Sequence, residues 1–439
     1  MNPRVVITGM GTINPLADNL EAYYENLLAG KSGIKRWESI DLSRVECKVG
    51  GDLGDYDCLS ALSGYEHELD RAAANTGTAS GGSTYKQAKK LFRSATFSGR
   101  TAALSALDAY SHSGLLGSDA HDRLNTSVVV AGHNLNSNYI FRNALQFQEE
   151  PEYIDPLSGV EAIDPNVPAL VTEILGIEGP TMTIGGACAS GNLALREAVR
   201  DITTGECNRS VVCGAVFDVA PPDIQASAIL NSVVVAPKYQ DNPERASRPF
   251  DADRGGFIYS HGTATLIIES LESALARGAT IHAEVLGVKA NANANHLPMP
   301  GAEKQSRVME QLLAAAGVAP TDVTYANCHA TGTPSGDLQE IRAIKRAFGD
   351  HAYDMKLNAP KSMLGHTCWA SPLVETIGGI LQMNHGTLHP SINIDMLDPE
   401  VDLDVCAGRT VDCDVRYMLK NSFGFGGVNC CSLIGRYDG

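Results

Sequence analysis

Short apolar runs rich in β-branched residues alternate along the chain with longer amphipathic stretches, two of which end at a glycine, the usual C-terminal cap. The apolar runs predict strands at 5–9, 127–131, 210–216, 263–270 and 281–288. The amphipathic stretches predict helices at 21–28, 100–116, 193–202, 271–276 and 304–316. Because strands that are apolar throughout belong in a sheet covered on both faces, the pattern predicts an α/β fold.

Two segments break this alternation. Residues 60–83 are polar, rich in Gly and Ser and only weakly periodic, so we predict a surface excursion there. Residues 133–168 carry aromatic residues without clean periodicity. A structureless stretch of that length commonly serves as a lid, a pocket wall or a subunit contact, and an irregular surface loop is the alternative.

Composition limits the possible functions. The 439 residues exceed one typical domain, so we expect two domain-sized units or one duplicated unit. The net charge of −17 leaves no domain-wide basic surface for nucleic acid and gives little attraction to an anionic membrane. No apolar run approaches the roughly 18 residues that a membrane-spanning helix needs. We therefore expect neither nucleic acid nor a membrane as a partner.

The cysteines and the N-terminus point to a reducing compartment. The chain enters a predicted strand at residue 5, a start unlike a secretory or transit peptide. Its 11 cysteines are scattered and show no CxxC spacing, which argues against a disulfide framework or a zinc site. We expect the cytoplasm, where thiols stay reduced.

Residues 181–192 (TMTIGGACASGN) place Cys188 between a strand-like run and a predicted helix. A nucleophile on a tight turn needs small neighbours, and the N–H groups and dipole at a helix start favour the thiolate and lower the pKa of the thiol. The alternative is a small apolar cysteine packed at a turn. This segment alone supports both interpretations.

Two histidines favour the nucleophile. His329 and His366 each follow an apolar strand, within polar segments that contain glycine. A thiolate forms a thioester with an acyl group, and two imidazoles can polarise the carbonyl of a second thioester and stabilise its enolate. Residues 421–429 (NSFGFGGVN) alternate glycine with phenylalanine, a pattern that suits backbone N–H groups facing a ligand.

Together these segments resemble the β-ketoacyl-acyl carrier protein synthases, the condensing enzymes of fatty-acid and polyketide assembly. Five motifs occur in the family's order, at 187–191 (ACASG), 247–257 (SRPFDADRGGF), 329–337 (HATGTPSGD), 361–366 (KSMLGH) and 421–429. The resemblance implies an α/β, thiolase-like fold in which duplicated halves stack as five α-β-α-β-α layers. It implies an N-terminal half at 1–270, a C-terminal half at 271–439, and a homodimer.

The resemblance also implies residue roles. Cys188 would be the acylated nucleophile. His329 and His366 would bind the carbonyl of the malonyl thioester and assist decarboxylation. Lys361, paired with Glu375, would support them structurally and electrostatically.

Further roles concern substrate entry. The backbone N–H groups of Cys188 and Phe425 would form an oxyanion hole, and Phe423 and Phe425 would gate the malonyl pocket. Thr331 and Thr333 would contact the phosphopantetheine arm. The implied reaction is ping-pong: an acyl group moves to Cys188, malonyl carrier protein loses CO2, and the enolate attacks. No metal or diffusible cofactor is implied, because the arm belongs to the acyl carrier protein.

Carrier proteins of this kind are acidic, so a chain at −17 needs a local basic patch to dock one. A cluster of four cations within 85–93 resembles the family's docking face, and an ordinary solvated helix face is the alternative. The cluster consists of Lys86, Lys89, Lys90 and Arg93.

The chain departs from the family at several positions. Gly186, Ala330, His261 and Val428 stand where the family commonly has Thr, Gly, Glu and Thr. His261 is either a supporting side chain or an added titrating group near the buried centre.

Two other functions compete with condensation. Residues 185–192 (GGACASGN) also resemble the stand-alone ketosynthase-like decarboxylases of polyketide β-branching cassettes, which typically have Ser in place of Cys188. Decarboxylation alone needs no nucleophile and would leave the thiol idle, so we favour condensation. The third hypothesis is a non-catalytic chain-length partner subunit, which the complete Cys/His/His set disfavours.

Overall fold

The structure is a computed structural model that describes residues 3–75, 82–297 and 299–439. The strands within these residues are β1 (Val5–Ile13), β2 (Lys35–Arg36), β3 (Val49–Gly50), β4 (Thr126–Ala131), β5 (Thr181–Ile184), β6 (Arg209–Gly214), β7 (Thr263–Ser270), β8 (Ala283–Ala292), β9 (Tyr325–Asn327), β10 (Lys356–Asn358), β11 (Thr387–Leu388), β12 (Val411–Asp412), β13 (Tyr417–Gly424) and β14 (Val428–Gly435).

The helices of the same residues are α1 (Leu20–Leu28), α2 (Cys58–Ser63), α3 (Glu66–Asn75), α4 (Tyr85–Ser94), α5 (Phe97–His112), α6 (Ser137–Glu149), α7 (Ser158–Glu161), α8 (Asn166–Leu175), α9 (Ser190–Thr204), α10 (Pro221–Ile229), α11 (Pro237–Gln240), α12 (Leu271–Ala276), α13 (Ala302–Ala316), α14 (Pro334–Phe348), α15 (Lys361–Leu364) and α16 (Ser371–His385). None of them is both long and apolar enough to span a membrane.

The strand order repeats. The strand order in the first half is β5-β4-β6-β7-β1, and in the second half it is β10-β9-β13-β14-β8. When the five strands of each half are numbered in chain order, both halves read 3-2-4-5-1. Parallel and antiparallel pairings also correspond between the halves. A short antiparallel pairing of β1 with β8, over Val5–Ile7 and Ala283–Val285, joins the halves into one hydrogen-bonded sheet of ten strands.

Helices cover both faces of each half. Helices α5 and α8 pack on the outer face of the first half, and α13, with α14 beside it, packs on the second. Helices α9 and α16 lie between the halves and contact strands of both. The result is the predicted order of five layers, with the largest buried apolar cluster in the central one. This arrangement brings the N-terminal ends of the two central helices to the functional residues.

The strong apolar periodicities predicted their elements correctly. Strands β1, β4, β6, β7 and β8, and helices α1, α5, α9, α12 and α13, overlap the predicted runs, although ends such as those of β1, α5 and β8 lie elsewhere. Apart from α12, each packs an apolar face on a buried cluster, which is the physical origin of the pattern.

The structure contradicts only the lack of regular structure that was predicted for the two irregular segments. Most of 60–75 is helical, with Leu62 and Leu69 as buried anchors; residues 76–81 lie outside the described residues. Most of 137–161 is also helical. Its large apolar side chains are exposed rather than packed on the core, so no helical stripe was visible in the sequence. The exposed set is Ile140, Leu145, Phe147, Tyr153, Leu157 and Val160.

Candidate active site

Cys188 lies on a sharp connection between an edge strand and a central helix. Strand β5 ends at Ile184, two glycines follow, and a 3-10 turn at Ala187–Ala189 leads into α9. The Ser190 hydroxyl closes the turn, accepting from the Gly186 N–H at 2.8 Å and donating to the Ala187 carbonyl at 2.7 Å. Ala187 adopts a left-handed φ of 48°, a conformation that costs free energy for any residue but glycine.

A second loop approaches this turn at Gly424. A Cβ placed there would lie 2.6 Å from the Gly186 carbonyl oxygen and 3.3 Å from the Cys188 nitrogen. Only glycine allows that approach. It brings the backbone N–H of Phe425 into a hydrogen bond with the Cys188 sulfur, which the N–H of Cys188 itself also contacts.

The thiol is protonated in the resting protein. Burial raises the pKa of Cys188 to about 11, even though Lys361 and the two N–H groups act to lower it. The lowered pKa expected from the helix start is therefore wrong, because desolvation of the sulfur outweighs the dipole and the hydrogen bonds.

The two predicted histidines meet this sulfur. His329 follows β9 and His366 follows α15, and their ring centroids are 5.6 Å apart, edge to face. One ring nitrogen of each and the Cys188 sulfur lie within 4.8 Å of one another. All three side chains can thus reach one thioester carbonyl. That the site holds no metal stays a prediction.

His366 is fixed as a hydrogen-bond donor. Its Nδ1 accepts from the backbone N–H of Cys368 at 3.1 Å and lies 2.8 Å from the Ser371 hydroxyl. The ring proton of the neutral form is therefore on Nε2, which has no partner among the described residues. Burial lowers the pKa of His366 and of His329 well below its ordinary value, and Lys361 adds to the effect. Both rings are neutral near pH 7.

A buried ion cluster lies behind the histidines. Lys361 Nζ donates to Glu375 Oε1 at 2.5 Å, so the predicted pair is present. Lys420, which sequence reasoning missed, places Nζ 2.6 Å from Glu375 Oε2. A lysine inside the apolar strand β13 was the signal, because lysine is almost never fully buried unless it is paired.

Glu340 is a second residue that sequence reasoning missed. Its carboxylate accepts from the backbone N–H groups of His329 and Ala330 at 2.8 Å each and from Asn421 Nδ2 at 2.9 Å. These bonds hold the loop that carries His329. The available signal was a glutamate on the buried side of an amphipathic helix, beside Ile341 and Ile344.

A cavity of about 330 Å³ opens onto the three reactive side chains. Thr331 and Thr333 line it and their hydroxyls are 3.1 Å apart. Phe423 packs edge-on to His329, with centroids 5.7 Å apart. Phe425 also lines the cavity and is 43% exposed, so it stands at the opening.

The predicted basic cluster lies outside the cavity that contains Cys188 and the two histidines. Helix α4 carries it on a solvent-facing side, and none of the four cations lines the cavity or forms an ion pair with a residue that the structure describes. Lys86, Lys90 and Arg93 are exposed, and Lys89 lies over the Tyr85 ring at 5.5 Å.

His261 is a supporting side chain rather than an added titrating group. It is buried against Trp37 and Phe97, and its Nδ1 accepts from the Leu53 N–H at 3.0 Å. Burial lowers the pKa of His261 to about 4, so its charge does not change near neutral pH.

Two family models together match most of the chain. The beta-ketoacyl synthase N-terminal domain matches residues 2–274 and the C-terminal domain matches residues 282–395. The chain belongs to the β-ketoacyl synthase family. It is 31% identical to the 3-oxoacyl-acyl-carrier-protein synthase 2 of Synechocystis sp., with 99% of this chain and 98% of the relative covered. It is 33% identical to the chloroplastic 3-oxoacyl-acyl-carrier-protein synthase I of Arabidopsis thaliana, with 97% and 85% covered.

Solved structures agree with this family assignment. A beta-ketoacyl synthase from Burkholderia phymatum superposes with a TM-score of 0.86 at 26% identity, over 99% of this chain and all of that one. The ishigamide ketosynthase/chain length factor superposes with a TM-score of 0.85 at 28% identity, over both whole chains. The predicted family and thiolase-like fold are confirmed.

The raised pKa of Cys188 can be measured in this β-ketoacyl synthase. Below its pKa, the thiolate fraction of a thiol grows tenfold per pH unit. We expect the rate of Cys188 alkylation by iodoacetamide, followed by peptide mass spectrometry, to rise about tenfold per unit from about pH 7 to about pH 10. Free cysteine, alkylated alongside, should level off above its ordinary pKa of about 8.5. A plateau for Cys188 below about pH 8 would contradict the raised pKa.

Proposed function

We propose that this β-ketoacyl synthase catalyses decarboxylative Claisen condensation of an acyl thioester with malonyl-acyl carrier protein, giving a 3-oxoacyl-acyl carrier protein in polyketide or fatty-acid-type biosynthesis. The observation that carries the proposal is the meeting of Cys188, His329 and His366 within 4.8 Å in one cavity. Relatives that match over the full length are named 3-oxoacyl-acyl-carrier-protein synthases, so the enzyme is of the acyltransferase type.

Acyl transfer comes first. The Cys188 sulfur attacks the carbonyl of the incoming thioester, and a tetrahedral oxyanion forms. The N–H groups of Cys188 and Phe425 receive that oxyanion, in keeping with their contacts to the neighbouring sulfur. The carrier thiol leaves with the proton that Cys188 gives up, and the acyl group stays on Cys188 as a thioester.

Condensation follows at the histidines. The malonyl carbonyl oxygen accepts from the Nε2–H of His366, with His329 beside it. The bond to the carboxylate breaks, CO2 leaves, and its electron pair forms the enolate. The enolate carbon attacks the acyl carbonyl, and the Cys188 sulfur leaves as a thiolate that takes up a proton from solvent. Neutral rings suit this step, because they donate hydrogen bonds without attracting the malonyl carboxylate as a counter-ion.

The entrance residues take the remaining roles. Phe423 and Phe425 gate the malonyl pocket, and Thr331 and Thr333 contact the phosphopantetheine arm, in keeping with their places along the cavity wall. The arm arrives on the acyl carrier protein, and the enzyme needs no other cofactor.

The polypeptide divides into halves at 270/271, between the last strand of the first set of five and the first strand of the second. We place the enzyme in the cytoplasm, in keeping with its eleven free thiols.

Intact-mass analysis after separate incubation with acyl and malonyl carrier proteins tests the proposal. We expect the acyl donor to add its acyl mass to Cys188. Cys188→Ala should abolish that adduct and leave malonyl decarboxylation unchanged or faster, because the two histidines remain. Cys413→Ala, which removes another half-buried thiol, is the control and should behave as the unaltered protein.

Two results would contradict this outcome. An adduct that survives Cys188→Ala would refute the nucleophile assignment. Decarboxylation by the unaltered enzyme without any acyl adduct would instead identify the decarboxylase, the alternative that the GGACASGN segment favours.

The outer face of α4 is our proposed docking face for the carrier protein. Its cations have no described ion-pair partner, so they are available to an acidic surface. Lys89→Glu with Lys90→Glu should raise the KM for carrier-bound acyl substrate about threefold to tenfold, and leave the KM for an acyl-pantetheine mimic unchanged. Lys31→Glu, on another exposed lysine, serves as the control. Equal effects on both substrates would refute docking at α4.

The homodimer is proposed from the edge of the sheet. Strand β5 pairs only with β4 among the described strands, and its residues are exposed or half-buried, so it is an open edge of the sheet. The exposed apolar side chains of 140–163 belong to the same half of the chain. We propose that a second copy covers this face.

Light scattering after size exclusion should therefore give about twice the 46.5 kDa of one chain. Phe147→Glu, at 59% exposure in this apolar set, should shift the protein towards the monomer because a charge would be buried in the interface. Leu275→Glu, at 58% exposure on α12, should not. A monomeric unaltered protein would refute the dimer.

A further inference from the structure

Glu375 is shared by two lysines, and only Lys361 has been given a role above. Lys361 and Lys420 each contact one oxygen of the carboxylate, at 2.5 and 2.6 Å, and all three side chains are at most 1% exposed. Glu375 balances only one of the two lysines, so Lys420 is a second cation in this cluster. Burial lowers the pKa of Lys420, and its contacts with Glu375 act to raise it. In a site shielded from water the charge of Lys420 acts strongly on its surroundings.

Glu340 is the other acidic residue that faces Lys420. Its carboxylate is already bound by the N–H groups of His329, Ala330 and Asn421, and the described residues show no ion pair between it and Lys420. The Lys420 ammonium donates instead to the Asn421 carbonyl at 2.7 Å. Lys420 is thus held in place by β13 and by Glu375.

The two lysines differ in what they influence. Both lower the pKa of His329 and of His366, and these rings also face each other and the Cys188 sulfur. For the sulfur, Lys361 is the main cation that lowers its pKa. Lys361 therefore acts on the Cys188 thiol and the rings, whereas Lys420 acts on the rings and on the buried thiols of Cys328 and Cys431.

We propose that Lys420 is a second electrostatic positioning residue of the active site. Together with Lys361 it places positive charge behind His329 and His366, the two rings beside which the enolate oxygen forms. The proposal rests on the function proposed above, because the enolate arises only when a malonyl thioester loses CO2. As that bond breaks, its electron pair moves towards the carbonyl oxygen. Lys420 stabilises the growing negative charge through the two rings, without touching the substrate.

Lys420→Met tests this role. It removes the charge at similar volume and leaves Lys361 paired with Glu375, so no buried carboxylate loses its last partner. We expect malonyl decarboxylation to slow about tenfold, while acyl transfer to Cys188 changes less than about twofold. Lys289→Met, on an exposed lysine of β8, is the control. If Lys420→Met fails to fold, as judged by circular dichroism and melting, Lys420→Gln keeps a polar group for the Asn421 carbonyl.

A pH readout separates this role from a structural one. Removing a cation makes the rings easier to protonate, so the acid limb of the decarboxylation profile should move to higher pH in the variant. Diethyl pyrocarbonate reacts with neutral imidazole, and its reaction with His329 and His366 should weaken towards about pH 5.5 in the variant but not in the unaltered protein.

The outcomes are distinct. Equal slowing of decarboxylation and acyl transfer, or no change in the acid limb and in histidine modification, would overturn the role of Lys420. If the unaltered protein neither accepts acyl groups nor decarboxylates malonyl carrier protein, the proposed function fails. The histidine modification profile would then still decide whether Lys420 controls the rings.

Discussion

The active site depends on one buried carboxylate. Glu375 projects from central helix α16 and ties together the lysines of α15 and β13. A buried charge that loses its partner typically costs about 3–5 kcal/mol, so the carboxylate fixes both lysines and both lysines fix it. His366 follows Lys361 by one turn and a glycine, and the loop that ends β13 reaches Cys188. A shift of this cluster would therefore displace each part of the site.

The resting site holds its reactive groups uncharged. Burial keeps the Cys188 thiol protonated and both imidazoles neutral, while two lysines share the Glu375 carboxylate behind them. In the proposed reaction, negative charge appears first on the acyl oxygen and then on the enolate, and preorganised donors of this kind stabilise such charge. The backbone N–H groups and the rings are already in position, so little reorganisation accompanies that charge.

The duplicated architecture explains why three distant parts of the chain meet. Each half sends a helix into the central layer, and each helix is preceded by a 3-10 turn that begins at a residue of positive φ, Ala187 in one half and Cys368 in the other. The first turn presents Cys188, the proposed nucleophile. The second supplies the backbone N–H that sets the tautomer of His366. The two halves thus use the same local geometry for different purposes.

The sequence by itself determined five strands (β1, β4, β6, β7 and β8), five helices (α1, α5, α9, α12 and α13), the Cys188 turn and the two histidine segments, because each is recorded in local periodicity or in a short motif. It also indicated the Lys361–Glu375 pair through family resemblance. It could not show that 137–161 is helical, because the apolar residues there do not pack on this chain's own core.

Only the tertiary structure decided the rest. The raised pKa of Cys188, the neutral rings and the second lysine on Glu375 depend on how much water the surrounding chain excludes and on which charges it brings together. Burial and long-range pairing are properties of the packed molecule, and no window of sequence contains them.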